Sequence, residues 1–440
     1  MAEGTRTINS VGPQFKSAHQ RAQRDAHART NRGDYLCSMS AAPPREPRAT
    51  SLAAPRATVS ARGADRWASG HPWIYRSDLI DPPSAPAGAI TVVDRAARPL
   101  GVALYSPASE IALRLLDRDP AAPLDATWWR DRLSRALARR APLETLTNAY
   151  RVVHGEADGL PSLIVDRYDR WLVVQLLSAG LEAFRAPIVE ALVDLLAPEG
   201  ILARNDTAVR TKEGLDRATE LLHGNVPREI EVVEHGFRYL AAPWDGQKTG
   251  AFLDQRENRV LAGSVARGRA LDCFAYHGSF ALHLARNAST VIALDSSGPA
   301  LARARANAER NGFTNIQTVQ TDAFEFLRAE EHAGAHYDTI VLDPPAFAKT
   351  RHSLEAAIRG YKEINLRAMQ LLSPGGMLFT ASCSFHLSAS LFRDMLRDAA
   401  SDSGRRIALR EFRGQPLDHP EVLTIPESGY IKGALLEALD

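Results

Sequence analysis

Residues Arg269-Ala270-Leu271-Asp272-Cys273-Phe274-Ala275-Tyr276-His277-Gly278 decide the fold. Arg269 to Cys273 is a short apolar run with an acid near its end, the pattern of a buried parallel strand. The turn after it ends in a glycine just ahead of a helical stretch, Ser279 to Arg286. Such a strand-turn-helix unit opens a doubly wound α/β sheet. The unit repeats downstream. Thr290 to Leu294 reads as the second strand with helix Pro299 to Arg310 behind it, Ile316 to Gln320 as the third and Tyr337 to Leu342 as the fourth. Helix Leu354 to Leu372 then leads to a fifth strand that carries Cys383. This alternation, from about Gly236 onward, predicts a Rossmann-like parallel sheet with its ligands at the carboxyl ends of the strands.

The first turn, Asp272 to Gly278, lets backbone approach a ligand at a helix N-terminus. It holds one glycine, so GxGxxG is absent and a dinucleotide pyrophosphate is poorly served. Asp295 ends the second strand, where an acid takes both ribose hydroxyls of an adenosine. Asp322 follows the third, placed to accept from an adenine amino group. Each aspartate alone suits a helix cap. Three acids, Asp272, Asp295 and Asp322, at successive strand ends favour a cofactor.

Two further strand ends carry chemistry. Asp343-Pro344-Pro345 closes the fourth strand and Ser382-Cys383-Ser384 the fifth, so a carboxylate and a thiol can meet over one substrate. Methylation at pyrimidine carbon 5 needs both. That carbon is a poor nucleophile until a thiolate adds to carbon 6; carbon 5 then attacks the methyl of a sulfonium donor, and loss of its proton expels the cysteine. The opposing reading of Cys383 is a buried small apolar residue at a strand end.

The chain of 440 residues, 45% hydrophobic and 24% charged, has material for two or three domains. No apolar run reaches the ~18 residues of a membrane span, and the N-terminus lacks the apolar stretch of a secretory signal. The three cysteines, Cys37, Cys273 and Cys383, show no metal-ligand spacing and no disulfide framework, so no metal is expected and a reducing cytoplasm fits. The net charge of +1 supplies no global pull toward a polyanion, leaving local patches to hold one.

Four segments are expected. Residues 1–58, rich in Arg, Ala, Ser and Pro, read as a disordered extension. Residues 59–125 read as a small β barrel, from short runs at Ala89 to Asp94, Leu100 to Tyr105 and Ile111 to Leu116; His71, Trp73 and Tyr75 are expected to plug it. Residues 126–235 read as an α+β insert, with helices Trp128 to Arg140 and Leu181 to Leu196 flanking strands at Tyr150 to Val153, Leu163 to Asp166 and Trp171 to Leu177. Residues 236–440 are the α/β domain.

The sequence also resembles a known family, the class I S-adenosylmethionine-dependent RNA methyltransferases, and more closely the bacterial large-subunit (23S) ribosomal RNA cytosine-5 methyltransferases with an N-terminal PUA domain. The matching segments are Gly70 to Trp73, Tyr105 to Ser109, Gly155 to Pro161, Lys248 to Arg256, Asp343 to Phe347, Arg359 to Asn365 and Ser382 to Ser384. The resemblance covers nearly everything from Val59 to the C-terminus. It implies a PUA-like RNA-binding barrel, an RNA-recognition insert, a C-terminal methyltransferase domain, S-adenosyl-L-methionine as cofactor, 23S ribosomal RNA as partner and a homodimer. Cys383 and Asp343 are then the catalytic residues. Lys248, Thr249, Phe252, Asp254, Gln255, Arg256, Asp272, Phe274, Tyr276, Gly278, Asp295, Asp322, Asp343 and Pro344 hold the cofactor. Pro345, Phe347, Lys349, Arg359, Tyr361 and Lys362 meet the RNA. His277 and Ser279 depart from the Thr and Gly that the family often has in the glycine turn. Guanine or amino nitrogen methyltransferases share Asp-Pro-Pro but lack the cysteine, so they remain the alternative, beside a non-catalytic RNA-binding assembly factor.

Overall fold

The computed structural model describes residues 55–348 and 351–440. The expected disordered extension therefore lies outside the described residues as far as position 54. Its last residues do not: a strand begins at Arg56 (Arg56–Val59), pairing in parallel with Gly88–Val93.

The C-terminal domain is a seven-stranded sheet. In chain order its strands are β1 (Arg269–Cys273), β2 (Thr290–Asp295), β3 (Ile316–Gln320), β4 (Tyr337–Leu342), β5 (Leu372–Ser382), β6 (Ile407–Arg413) and β7 (Lys432–Ala438). They lie in the order β3-β2-β1-β4-β5-β7-β6, with β7 antiparallel to both neighbours and the other pairings parallel. The central strands β1, β4 and β5 are buried on both faces, which is why they read as near-continuous apolar runs, whereas the edge strands β3 and β6 are partly buried. Leu271, Ile340, Leu342 and Leu378 enter one core with Phe392 and Met369; Ala270, Val341 and Phe379 enter the other with Phe280 and Leu435.

Ahead of it, strands Ala149–His154, Leu163–Tyr168, Trp171–Leu176, Gly200–Asn205 and Ala218–Gly224 form a second sheet. Helices Ala126–Ala138 and Arg185–Leu196 share its core. The helix expected over Leu181 to Leu196 is in fact two, Ala179–Glu182 and Arg185–Leu196. Pro187 explains the break: within a continuous helix it would lack the N–H owed to Ala183, whereas in a first turn that N–H is not needed. A hairpin, Ile230–Glu234 with Phe237–Ala241, packs between this sheet and the catalytic one.

The N-terminal six-stranded sheet runs from Arg56 to Asp117. Ile74 from one edge strand and Leu79 from the other pack into one core with Trp67 and Leu113, so the sheet curls on itself. His71, Trp73 and Tyr75 do not plug it. Trp73 donates through its indole N–H to Glu156 at 2.9 Å, His71 lies 3.1 Å from Glu427, and Tyr75 lies under the Arg66 guanidinium. An amphipathic ring with a polar tip suits such a boundary better than a dry interior.

Candidate active site

Register places the site. Cys273 on β1 is level with Leu294 on β2 and Leu342 on β4, and Leu342 with Thr380 on β5. Asp295, Asp343 and Cys383 therefore emerge at one edge of the sheet, beside the turn Phe274 to Gly278. A cavity of about 430 Å³ opens there, lined by Lys248, Phe252, Asp254, Gln255, Phe274, Tyr276, Asp295, Asp343, Pro344, Pro345 and Cys383. That size falls in the usual range for small-molecule sites. Lys248, Phe274 and Tyr276 all take left-handed backbone angles, with φ of 53°, 65° and 50°. Side chains resist this conformation, and strain of this kind gathers where a binding surface fixes the backbone.

The electrostatics are dominated by acids. Asp295 accepts from the backbone N–H of Tyr276 at 2.9 Å and of Ser297 at 2.8 Å, which fixes the carboxylate at the cavity rim. Asp272 is buried and accepts from Ala281 N–H at 2.9 Å, while its other oxygen has no partner. Burial and the nearby Asp343 push its carboxyl well above the usual range. Burial likewise raises Asp343 to about 7, with Asp254 adding to the effect and Lys248 and Gln255 opposing it. Asp254 goes the other way: its ion pair with Lys248 and a 2.7 Å hydrogen bond from the Tyr430 hydroxyl outweigh burial and hold it ionised. Burial and Asp343 push the half-buried Cys383 thiol up to about 11, against the pull of Lys248 and Lys432.

Several expected site residues sit elsewhere. Thr249 is buried, donating to Asp166 at 2.6 Å, and Arg256 is buried against Asp418 and Glu257, so both lock the 248–256 segment to its surroundings rather than face the cavity. Asp322 caps the next helix through the N–H groups of Phe324 and Glu325 and does not line the cavity. Gly278 acts by shape: at φ 82° a Cβ there would come within 2.9 Å of Ala304 Cβ. Phe347 packs on the buried Tyr361 ring at 4.6 Å, and the Tyr361 hydroxyl meets Ser384 Oγ at 2.9 Å, so these two support the Cys383 loop from beneath. Lys362 pairs with Asp402, Arg359 is exposed, and Lys349 lies outside the described residues. Sequence reading missed Arg259, Tyr430 and Lys432. Arg259 and Tyr430 are fixed by long-range partners, Glu234 and Asp254, that no local pattern announces.

The model of the S-adenosylmethionine-dependent methyltransferase family matches residues 180–424, and that of the PUA-like domain matches 57–118. The chain belongs to the S-adenosylmethionine-dependent methyltransferase family. Among its relatives, ribosomal RNA large subunit methyltransferase I of Klebsiella pneumoniae (strain 342) is 39% identical over 372 residues, 82% of this chain and 93% of that one. The protein of the same name from Shigella boydii serotype 18 is 39% identical over 82% of this chain and 94% of its own. Among solved structures, a Streptococcus mutans chain described as a SAM-dependent methyltransferase has a TM-score of 0.74 at 20% identity, over 87% of this chain and 99% of that one. SMU.776 complexed with SAH has a TM-score of 0.76 at 20% identity and the same coverage, a likeness of fold.

The site of this S-adenosylmethionine-dependent methyltransferase suits its cofactor. Asp254, Asp295 and Asp343 line one cavity with Lys248 and Arg259 as the neighbouring cations, and Asp272, buried near Asp343 and Asp295, keeps one oxygen without a partner. A cationic ligand relieves that repulsion. S-adenosylmethionine supplies an electrophilic methyl on a positively charged sulfur. Phe252, Tyr276, Asp295 and Asp343, which line that cavity, are the residues that would hold it.

Proposed function

We propose that this methyltransferase transfers the methyl group to carbon 5 of a cytosine in large-subunit (23S) ribosomal RNA, in the cytoplasm, through a covalent adduct with Cys383. The observation that carries the reading is that Cys383 and Asp343 leave adjacent parallel strands at one edge and line one cavity with the cofactor-facing residues. Relatives at 39% identity named for large-subunit ribosomal RNA supply the substrate class, and the PUA-like domain an RNA-binding module.

The target cytosine leaves its stack to enter. The Cys383 thiolate adds to carbon 6, forming the S–C6 bond and pushing electron density to carbon 5, which takes the methyl. Asp343 faces the N3/N4 edge. With a carboxyl near 7 it is partly protonated at neutral pH, able to donate toward N3 as negative charge develops there. Gln255 Nε2 holds the other role of the carboxyl, donating to Oδ1 at 2.7 Å. Removal of the carbon 5 proton by a base then breaks the S–C6 bond and frees the thiolate. Pro345, exposed beside the cavity, and Phe347 beneath it shape the approach of the base.

The test is transfer of label from S-adenosylmethionine to unmodified ribosomal RNA, with nucleosides resolved by mass spectrometry. Label in 5-methylcytidine that vanishes in Cys383→Ala is expected. Label in a methylated guanosine, or activity indifferent to Cys383, overturns the reading in favour of nitrogen methylation.

A further inference from the structure

A thiol held near 11 is a weak nucleophile at neutral pH, because only the thiolate attacks. Something must take its proton. Asp343 and Asp254 lie close but raise the thiol further, since their negative charge opposes a second one beside them.

Lys432 opens β7 directly opposite Ser382 in the antiparallel β5–β7 register, one residue before Cys383. Its side chain is buried, 6% exposed, and donates to the carbonyl of Ser384 at 2.7 Å and of Tyr430 at 2.9 Å. The ammonium nitrogen is thus bonded to the residue after Cys383 while its backbone faces the residue before. Among the described residues it has no carboxylate partner. This is unusual for a buried lysine, which ordinarily neutralises an acid.

The valence of the nitrogen matters here. A neutral amine has two hydrogens and one lone pair; a charged one has three hydrogens. Two carbonyls occupy two positions in either state. The third changes from acceptor to donor when the proton arrives, the behaviour needed beside a thiol that becomes a thiolate. We infer that Lys432 is the proton acceptor for Cys383: the S–H bond breaks, an N–H bond forms at Nζ, and the resulting ammonium stabilises the thiolate that adds to carbon 6. The inference rests on Cys383 acting as the nucleophile.

The surroundings agree. Burial lowers Lys432 to about 8, and Cys383 is the one charged group that opposes that lowering. An amine near 8 beside a thiol near 11 leaves a pair in which both members are largely neutral between about pH 9 and 10; near pH 7 the neutral amine is the minor form, about a tenth, and it is this form that takes the thiol proton. The other groups facing the pair are Lys248, Asp254, Asp343 and Tyr361 around Cys383, and Arg413, Glu421 and Glu427 along the groove beside Lys432. The two glutamates are not bonded to Lys432; Glu427 is 3.1 Å from His71.

The decisive experiment follows Cys383 alkylation by iodoacetamide across pH, by mass spectrometry of its own peptide, in the full chain and in Lys432→Met and Lys432→Gln. Gln keeps two N–H donors for the two carbonyls but cannot take a proton, so it guards against a loop that merely lost its support. Both variants are expected to alkylate about tenfold more slowly near pH 7, with the inflection moved up by about one unit and the rates converging with wild type in strong alkali. Methyl transfer should show the same displacement. An alkylation profile unchanged in either folded variant overturns the inference and leaves Lys432 a strut between β7 and the Cys383 loop. The two readings separate cleanly. If the profile moves but the product is a methylated guanosine, Lys432 still takes the Cys383 proton but the carbon-5 assignment falls, and with it the addition of the thiolate to carbon 6; if the profile is unmoved while 5-methylcytidine still forms through Cys383, the carbon-5 assignment stands and Lys432 is not the proton acceptor.

Discussion

Gln255 donates to Asp343 through Nε2 and Oδ1 at 2.7 Å, tying the 248–256 segment to the Asp-Pro-Pro turn. Its amide orientation is fixed, because Asn258 Nδ2 donates to the Gln255 oxygen at 2.5 Å. Gln255→Ala removes one of the interactions that keep the Asp343 carboxyl from rising further and frees it to rotate. Methyl transfer should fall about tenfold or more with little change in thermal stability, read from kcat and a melting curve.

Asp343 is expected to cost the fold stability. Its folded-state carboxyl lies near 7, above the ordinary 3.8, so the fold prefers the protonated form. Stability is therefore lost as pH rises from about 4 to 7, and the loss stays constant above. Asp343→Asn should be more stable than wild type by about 1–2 kcal/mol at pH 8, equal to it below pH 4, and inactive. Denaturant titrations at the two pH values check this.

Glu234 gives the opposite sign. Burial alone would raise its carboxyl, but Arg259, bonded at 2.6 and 2.7 Å, and His283 hold it well below 4.5. Its contribution is full above 4.5 and is lost as pH falls through the folded value. Glu234→Gln leaves Arg259 charged and buried, an expected cost of about 3–5 kcal/mol at pH 7 that shrinks in acid. Because Arg259 also lines the cavity, S-adenosylmethionine affinity by calorimetry should weaken in the same variant.

Gly278→Ala tests the turn. A Cβ at φ 82° and 2.9 Å from Ala304 forces the helix Ser279–Ala285 away from its neighbour. About 1–3 kcal/mol of stability should be lost, along with cofactor affinity, as measured by melting with and without S-adenosylmethionine.

Much of this was legible in the chain. Strands β1 and β4 fall where their apolar runs end, since a strand buried on both faces reads as a near-continuous apolar run, and the partly buried edge strand β3 also keeps its expected bounds. Cys383, Asp343, Asp295 and the Phe274 to Tyr276 turn follow from strand ends sharing one edge. Strands β6 and β7 were missed. Arg and Glu interrupt β6 at the sheet edge, and β7 begins with the lysine whose burial only the antiparallel pairing with β5 creates. Thr249, Arg256 and Asp322 were expected at the cofactor but answer to partners far away in sequence or to a helix end, which spacing does not reveal. His277 shows the same limit: buried and lowered to about 3 by desolvation, it stacks neutral on Tyr239 beneath the turn.

The covalent step can be caught directly. RNA carrying 5-fluorocytidine at the target has no carbon 5 proton to lose after methylation, so the S–C6 bond cannot break. Incubation with S-adenosylmethionine should yield a protein–RNA adduct that survives denaturation, maps to the Cys383 peptide and is absent in Cys383→Ala. Methylated product without any such adduct would contradict the mechanism.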